Sequence, residues 1–422
     1  MTAGSRLWAL FFIVLALLPL SASAATFEVC ATCAYTTIHQ AVEAAPPDSR
    51  IHIQKGVYKE DEILVTKPLT FDGEDGAILD GDGRNQILTI VRTDNVRIQG
   101  LTIQNTGTSY VRELAGVRVI ESSNCSISHN RFIDTTYAVY LENAKNCLVE
   151  DNLISGHTVS ETAGGNGIHV WYGESHLISR NKINGHRDGI YLEFAKGSRI
   201  IANISQENIR YGLHFMSSNE TTYENNEFLN NGAGVAVMYS RKIKMFGNRF
   251  HHNLGPAAYG LLMKDVFESE VSGNEFTANT VGIFIEGSNR SKFENNLFRK
   301  NGWALRIMGD CENNQFNRND FVANTFEVTT NADHSWNVFA QNYWGQYEGY
   351  DLDRNGIGDI PHRPVSLSSI ILERTDSSYI LMNSFFFAVM DKVERALPGL
   401  IPEPLKDEQP AMRPIKVWDE KK

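Results

Sequence analysis

Positive charge is scarce in this sequence of 422 residues. Its 39 lysines and arginines are outnumbered by 50 aspartates and glutamates, which gives a formal net charge of −11. The basic residues are scattered, so the chain lacks the concentrated positive surface that binds nucleic acid, and an acidic surface suits cations better. Proline is also sparse, at 12 residues, while 42% of the residues are apolar. This composition excludes a disordered or collagen-like chain and predicts an ordered globular protein.

The N-terminal apolar run is too short for a membrane-spanning helix. It covers residues 7–20, between Arg6 and an Ala-Ser-Ala sequence at 22–24, whereas about 20 apolar residues are needed to cross a bilayer. A basic start, an apolar run and small residues are typical of a secretory leader. We expect residues 1–24 to be a signal peptide, cleaved after Ala24, that exports the protein to an oxidising compartment.

Helical periodicity is missing from most of the chain, and a repeat stands in its place. An asparagine recurs, followed two residues later by an apolar residue, at spacings of 22 to 29 residues. Asparagine tolerates the left-handed backbone of a corner and can hydrogen-bond to the coils above and below it. A period near 22 residues predicts an all-β solenoid of stacked coils. The repeating asparagines are Asn105, Asn130, Asn152, Asn181, Asn203, Asn226, Asn248, Asn274, Asn296, Asn319 and Asn342.

The repeat also predicts how the chain is divided. Residues 37–45 have the pattern of a short amphipathic helix, which would cap the open N-terminal end of the solenoid. The repeat stops after Trp344. We therefore expect a solenoid domain with an N-terminal cap at 25–346, an Asp/Gly-rich loop at 347–364 and a C-terminal helical tail at 365–422.

Strand alternation predicts which side chains face water. Counting back ten or eleven residues from each repeating asparagine gives two neighbouring outward columns. Three consecutive thioethers beside a histidine form a cluster of soft ligands, which selects Cu(I) over hard cations. The alternative is an apolar stripe or an adaptable partner-binding surface, as methionine often provides. The first predicted column is Glu142, Trp171, Glu193, Met216, Met238, Met263, Glu286 and Met308, and the second is Tyr140, His169, Tyr191, His214, Ala236, Leu261, Phe284 and Arg306.

Several strings resemble the NosD family of periplasmic nitrous oxide reductase maturation proteins. They are Tyr-Gly-Leu-His-Phe-Met at 211–216, Gly-Val-Ala-Val-Met-Tyr-Ser at 234–240, Tyr-Gly-Leu-Leu-Met-Lys at 259–264 and Trp-Ala-Leu-Arg-Ile-Met at 303–308. The resemblance covers nearly the whole mature chain. It implies a right-handed, single-stranded parallel β-helix that is not an enzyme. It also implies work with an ABC transporter ATPase, its membrane subunit and a copper-chaperone lipoprotein to supply copper, or sulfur, to nitrous oxide reductase.

The family's methionines and histidines fall on the outward columns and strengthen the copper hypothesis. His214, Met216, Met238 and Met263 are the first candidates, with Glu193 alongside. His169 is a less certain ligand. Met308 is too distant to share one ion with them and is a candidate second stop along a transfer path.

Other residues suggest further sites. An Asp/Asn/Gly run places oxygen ligands at Asp351, Asp353, Asn355 and Asp359, as a calcium loop does, although His362 stands where such a loop has a bidentate glutamate. An ordinary turn is the alternative. In the tail, the apolar residues Phe385, Phe386, Phe387 and Met390 are expected either to dock on the transporter as a helix in a groove or to cover the end of the solenoid.

The five cysteines leave at least one without an intramolecular disulfide partner. Cys30 and Cys33 form a CxxC sequence, which suits a short-range disulfide, a redox pair or a metal-transfer pair. Cys125 and Cys147 are 22 residues apart and are expected to stack inside neighbouring coils, as free thiols or as a disulfide. Cys311 is the odd thiol.

An enzymatic alternative must be considered because parallel β-helices often carry polysaccharide lyases, hydrolases or epimerases, which use grouped carboxylates. Here the outward acids Glu142, Glu193 and Glu286 are separated along their column. Glu193 and Glu286 are about 19 Å apart at strand spacing, too far for a carboxylate pair. Asp188 is the remaining catalytic candidate, and a binding function is favoured.

Overall fold

The computed structural model describes residues 25–109, 111–158, 160–162, 164–374, 389–390 and 405–415. The predicted signal peptide lies outside the described residues, as do Phe385, Phe386 and Phe387. The described chain winds into a right-handed parallel β-helix of about 14 turns with very little helix. The predicted fold class is therefore confirmed.

Each coil contributes one strand to sheet A, then one to sheet B and one to sheet C, and every strand pairs in parallel with the equivalent strands of the coils before and after it. Among the described residues, sheet A has 14 strands, sheet B has 13 and sheet C has 12. Sheet A contains Thr26–Val29, Ser49–Ile53, Leu69–Gly73, Arg97–Gln99, Ser126–Ser128, Leu148–Glu150, Leu177–Ser179, Arg199–Ile201, Thr222–Glu224, Lys244–Phe246, Glu270–Ser272, Lys292–Glu294, Gln315–Asn317 and Val338–Ala340. Sheet B contains Gly56–Tyr58, Ala77–Asp80, Thr102–Gln104, Arg131–Ile133, Leu153–Ser155, Lys182–Asn184, Ile204–Gln206, Glu227–Leu229, Arg249–His251, Glu275–Thr277, Leu297–Arg299, Asp320–Val322 and Tyr343–Trp344. Sheet C contains Ile63–Val65, Leu88–Val91, Ala115–Ile120, Tyr137–Glu142, Asn166–Trp171, Asp188–Glu193, Tyr211–Met216, Ala233–Met238, Tyr259–Lys264, Val281–Glu286, Trp303–Ile307 and Phe326–Thr330.

The core is a set of columns of identical or similar side chains, because in-register parallel coils place equivalent residues directly above one another. One column stacks aromatic rings with centroids 4.2 to 5.3 Å apart. Its members are buried, so the column removes a large apolar area from water and fixes the coil register. It consists of Phe228, Phe250, Phe276, Phe298, Phe321 and Trp344.

The repeating asparagines form a buried ladder along the corner between sheets A and B. From Asn130 to Asn342, each side-chain amide donates to the side-chain oxygen of the asparagine one coil later, at 2.9 to 3.2 Å. The predicted hydrogen bonding is correct, but Asn105 is not a rung, because Leu101 occupies that place and donates its N–H to Asn130. The left-handed backbone falls on the residue before each rung, for example Asp151 (φ 53°), because the rung itself points inward.

A second asparagine ladder, which sequence reasoning missed, follows sheet B. Its rungs are fully or almost fully buried and joined by hydrogen bonds of 2.9 to 3.1 Å. The signal was present as a second set of asparagines, five residues after those of the first ladder. The rungs are Asn208, Asn231, Asn253, Asn279, Asn301 and Asn324.

Both ends of the solenoid are covered. Helix α1 (Ile38–Ala44) lies across the first coils, and Thr37 is its N-cap. The helix buries its own residues Ile38, Ala41 and Val42. At the other end, α2 (Leu367–Arg374) follows Val365, which bridges to the last strand of sheet C. Residues 405–415 also pack on the last coil, where Asp407 pairs with Phe339. The predicted capping helix is therefore observed.

Candidate metal-binding face

The outward face of sheet C carries the two predicted columns, with two corrections to their register. Met238 pairs with Lys264, not with Met263, and Ala236 pairs with Leu262, not with Leu261. The first column is therefore Glu142, Trp171, Glu193, Met216, Met238, Lys264 and Glu286, and the second is Arg118, Tyr140, His169, Tyr191, His214, Ala236, Leu262, Phe284 and Arg306.

The predicted outward position of Met263 is wrong. Its side chain is fully buried in the core, between Val237 and Ile285 on the neighbouring coils. Because strand side chains alternate between faces, a one-residue shift in counting moves a residue from the surface to the core. The outward thioethers on neighbouring coils are consequently Met216 and Met238, which are partly exposed and stand side by side, about 4.8 Å apart at strand spacing.

A continuous stack of rings forms the second column. The guanidinium of Arg118 lies 4.8 Å from the Tyr140 ring centroid, and Tyr140, His169, Tyr191 and His214 follow with successive centroid distances of 4.6, 4.8 and 4.4 Å. The stack ends at Ala236, which pairs with His214 and carries no ring, while the Tyr211 ring lies 4.9 Å from the His214 ring and is tilted by 59°. Although these rings point away from the core, they are at most 9% exposed, because they shield one another.

His214 is oriented by a buried carboxylate. Asp188 accepts hydrogen bonds from Arg210 Nε at 2.9 Å and Nη2 at 2.5 Å, and its other contact is His214 Nδ1 at 3.4 Å. Burial opposes ionisation of Asp188, but the hydrogen bonds from Arg210 and His214 lower its pKa to about 2. An ionised carboxylate only accepts hydrogen bonds, so Nδ1 of His214 carries the proton and Nε2 presents a lone pair.

The imidazole of His214 is chemically available as a ligand. Burial lowers its pKa, so the ring is neutral near pH 7. Its Nε2 atom is buried without a hydrogen-bond partner. A histidine whose second nitrogen is held by a carboxylate is the usual arrangement of a metal-binding imidazole. Met216 follows two residues later on the same face, about 7 Å along the strand.

In His169 the protonated and unprotonated ring nitrogens are the reverse of those in His214. Its Nδ1 lies 3.4 Å from the side-chain amide nitrogen of Asn166, a donor, so Nδ1 accepts and Nε2 carries the proton. That Nε2 has no hydrogen-bond partner and lies 3.9 Å from the Glu193 carboxylate. Burial lowers the pKa of His169 to about 3. His169 and Glu193 are therefore neighbours. His169 lies two coils from His214, and Glu193 lies one coil from Met216.

Met308 lies further along the solenoid. It borders a surface depression of about 430 Å³, together with Glu286, Gly309, Asp310 and Asn331. Three coil steps separate it from Met238, about 14 Å at strand spacing. The prediction that Met308 cannot share an ion with the other methionines is consistent with this geometry.

Within the described part of the chain, no three or more histidine, cysteine, aspartate or glutamate side chains are grouped to hold a metal ion. A site on this face therefore depends on thioether sulfur together with one imidazole. Such a soft, neutral donor set favours Cu(I) and is poor for calcium or magnesium.

Two of the three predicted outward acids of sheet C form ion pairs with basic side chains. Glu142 accepts from Arg118 at 2.6 and 3.0 Å, and Glu286 lies 3.3 Å from Lys264. The catalytic candidate Asp188 is fully buried under Arg210. Among these described residues there is no closely spaced acid and base of the kind used by glycosidases.

The predicted calcium loop forms a turn in which the carboxylates accept hydrogen bonds from backbone N–H groups. Asp351 accepts from Asn355 at 3.1 Å and from Gly356 at 2.8 Å, and Asp359 accepts from Leu352 at 2.7 Å. Asp353 accepts from the Asn355 backbone N–H at 3.2 Å. Calcium is therefore unsupported, and the turn alternative describes the observed contacts.

The remaining candidate residues are only partly described. Cys30 and Cys33 are joined by a disulfide. Met390 belongs to a two-residue helical fragment, while the three predicted docking phenylalanines fall outside the described residues. No helix of the described chain is long and apolar enough to cross a membrane.

The fold defines the class: a right-handed parallel β-helix protein, here with a buried imidazole and two partly exposed thioethers on the outward face of one sheet. Residues 82–181 match the family model of the right-handed beta helix region, and residues 151–349 match that of the periplasmic copper-binding protein NosD. Two curated relatives are each named probable ABC transporter binding protein NosD. The Stutzerimonas stutzeri relative is 28% identical over 386 residues and covers 87% of both chains, and the Pseudomonas aeruginosa relative is 27% identical over 388 residues and covers 87% of this chain and 89% of its own.

The family model and both relatives support a NosD-type protein. Among solved structures, the family 28 exopolygalacturonase of Yersinia enterocolitica has a TM-score of 0.52 at 11% identity, over 71% of this chain and 74% of that one. At so low an identity this likeness shows the fold alone.

Proposed function

We propose that this protein is a periplasmic, non-enzymatic accessory that binds Cu(I) on the outward face of sheet C and relays it during assembly of the nitrous oxide reductase copper site. The family description, periplasmic copper-binding protein, supports this proposal. The observation that carries it is the unpartnered Nε2 atom of His214, held as a neutral lone-pair donor by Asp188 beside the partly exposed Met216 and Met238.

The proposed donors also suit a carrier. One imidazole and two thioethers are neutral, so they bind Cu(I) without the strong charge attraction of thiolates. A carrier must release its ion, and the partly exposed thioethers leave the metal open to a receiving protein. Met308, His169 and Glu193 are proposed as secondary contacts along the same face.

Substitution of the exposed thioethers tests the site. The double change Met216→Leu and Met238→Leu removes both sulfurs and keeps a similar side-chain volume, so the fold should persist. We expect Cu(I) affinity to fall at least tenfold in a competition titration with a chromogenic Cu(I) chelator. Met263→Leu is the matched control, because it removes the same atom from the core and should leave binding unchanged. Equal Cu(I) uptake by the double variant and the wild type would contradict the proposed site.

The partner proposal follows from the names of the curated relatives, which are ABC transporter binding proteins. We propose that the transporter's ATPase and membrane subunit, a copper-chaperone lipoprotein and nitrous oxide reductase are the partners, with membrane association through them. Sulfur is a second candidate cargo. Residues 1–24 are proposed to export the protein, and N-terminal sequencing of the periplasmic protein should begin at Ala25.

Docking through the tail requires a test that spares the end of the solenoid. Deleting everything after residue 375 would also remove Asp407, which binds the last coil. The better variant changes Phe385, Phe386 and Phe387 to serine and keeps residues 405–415. We expect it to lose co-purification with the transporter at unchanged thermal stability. Aggregation of this variant alone would instead indicate that the segment covers the solenoid.

A further inference from the structure

Two cysteines lie beside each other inside neighbouring coils. Cys125 and Cys147 directly precede the strands Ser126–Ser128 and Leu148–Glu150, which pair with Ser126 opposite Leu148. The register therefore places the two Cα atoms about 4.8 Å apart, within the range of about 4.4–6.8 Å that a disulfide spans. Both side chains are 1% exposed, and the structure holds both as thiols.

The column that contains these cysteines is otherwise a hydrogen-bonding column. The N–H of Cys147 donates to Nδ1 of His176 at 3.1 Å, and the N–H of His176 donates to Oγ of Ser198 at 3.2 Å. Later coils continue the pattern, as in the N–H of Ile243, which donates to Ser269 at 3.0 Å. A thiol is a weaker acceptor than the imidazole or the hydroxyl that the next two coils place in this column, so two successive cysteines are not the strongest hydrogen-bonding choice there.

The two thiols interact directly. The Cys147 side chain lowers the pKa of Cys125, whereas the Cys125 side chain and burial raise the pKa of Cys147. Each side chain is the largest influence on the pKa of the other, in keeping with the adjacent positions that the strand register gives them. All three buried thiols contact a carbonyl oxygen: Cys125 that of Ser123 at 3.7 Å, Cys147 that of Lys145 at 3.4 Å and Cys311 that of Ile285 at 3.4 Å. Cys125 and Cys147 differ from Cys311 in lying on neighbouring coils in register with one another.

We propose that Cys125 and Cys147 form a disulfide that ties two neighbouring coils together in the exported protein. One S–S bond forms as the two S–H bonds break, which releases two protons. The two electrons pass to the disulfide of a protein oxidant, which becomes a dithiol. Because both sulfurs are enclosed once the coils stack, the exchange takes place before these coils close. The inference rests on the proposed export, since an oxidising compartment is required.

Thiol counting tests the proposal directly. The full-length protein is recovered from the periplasm, acid-quenched, unfolded and alkylated without reductant, and its intact mass is measured. Without reductant we expect one alkylated thiol, on Cys311, and a linked peptide pair containing Cys125 and Cys147. After reduction we expect five alkylated thiols. Three alkylated thiols on a chain without its leader would overturn the disulfide alone. A retained leader would contradict the proposed export, and this inference with it.

A stability measurement separates the disulfide from a structural role of the thiols. The wild-type melting temperature should fall by several degrees in reductant, and the variant C125S/C147S should lose this response. The matched controls are C311S and C30S/C33S. Both should retain the response to reductant, because neither change removes the Cys125–Cys147 disulfide. Retention of the full response by C125S/C147S would also overturn the proposal.

Discussion

The side-chain amide of Asn342 donates a hydrogen bond to the Asp407 carboxylate at 3.0 Å, across 65 residues of chain. The same carboxylate oxygen accepts from the backbone N–H of Asn342 and from the indole Nε1 of Trp344, each at 3.0 Å. Asp407 thus occupies the place of the next rung of the asparagine ladder. A residue of the C-terminal segment therefore closes a stack whose last coil would otherwise expose unpaired polar groups.

Removal of this carboxylate should destabilise the protein. Asp407 is fully buried, and Asp407→Ala removes the acceptor of three buried donors on the last coil and of the Gln409 N–H, so we expect a loss of about 3 kcal/mol in the free energy of unfolding. Asp407→Asn keeps an acceptor oxygen and should lose less than half of that amount. Chemical denaturation followed by circular dichroism measures both. Glu408→Ala is the exposed control, and an Asp407→Ala protein as stable as that control would show that the segment contributes nothing.

The orientation of His214 should control copper affinity. Asp188→Asn replaces a carboxylate that only accepts with an amide that can also donate, so the Nδ1–H tautomer of His214 is no longer enforced. Loss of such a second partner typically weakens metal binding about 10- to 100-fold. We expect that range in the chelator competition, with the fold retained because Arg210 is partly exposed and can reach water. Wild-type affinity in this variant would exclude Asp188 as a positioning residue.

Acid should destabilise the solenoid through its buried histidines. Burial lowers the pKa of His186 to about 4 from the ordinary histidine value of 6.5. The unfolded chain therefore binds the proton more readily, so the stabilisation is complete above pH 6.5 and is lost as the pH falls toward 4. We expect the free energy of unfolding to fall by up to about 1.4 kcal/mol per pH unit for this histidine.

His186→Asn tests this pH dependence, because the next coil already has Asn208 at the equivalent corner. The variant should lose less stability than the wild type between pH 7 and 4.5 in urea titrations. His129→Asn is the exposed control, since 67% of that side chain is accessible. If the free energy of unfolding has the same pH slope in both variants and in the wild type, the pH dependence does not come from His186.

Calcium should have little effect on stability. The carboxylates of Asp351 and Asp359 already accept backbone N–H groups within their turn. A ligand that binds the folded state raises the melting temperature, so we expect millimolar calcium chloride to shift it by less than about 1 °C. A rise of several degrees that disappears in Asp351→Asn would establish a calcium site.

Much of the fold could be predicted from the sequence because each coil repeats the same local pattern of residues. The asparagine spacing predicted the solenoid, and the pattern at 37–45 predicted helix α1. The prediction for Met263 failed because counting from a corner leaves an error of one residue, and only the paired register with Val237 and Ile285 assigns it to the core. The orienting contact between Asp188 and His214 was missed, since they belong to adjacent coils and are 26 residues apart.

The sequence by itself determined the coil period, the asparagine ladder and the presence of soft ligands on one sheet, because these depend on residue type and on spacing within one repeat. Only the tertiary structure decided the tautomer and exposure of His214, the core position of Met263 and the contact between Asn342 and Asp407. These features arise between coils, where stacking brings distant residues into hydrogen-bonding range and a single step in register exchanges surface for core.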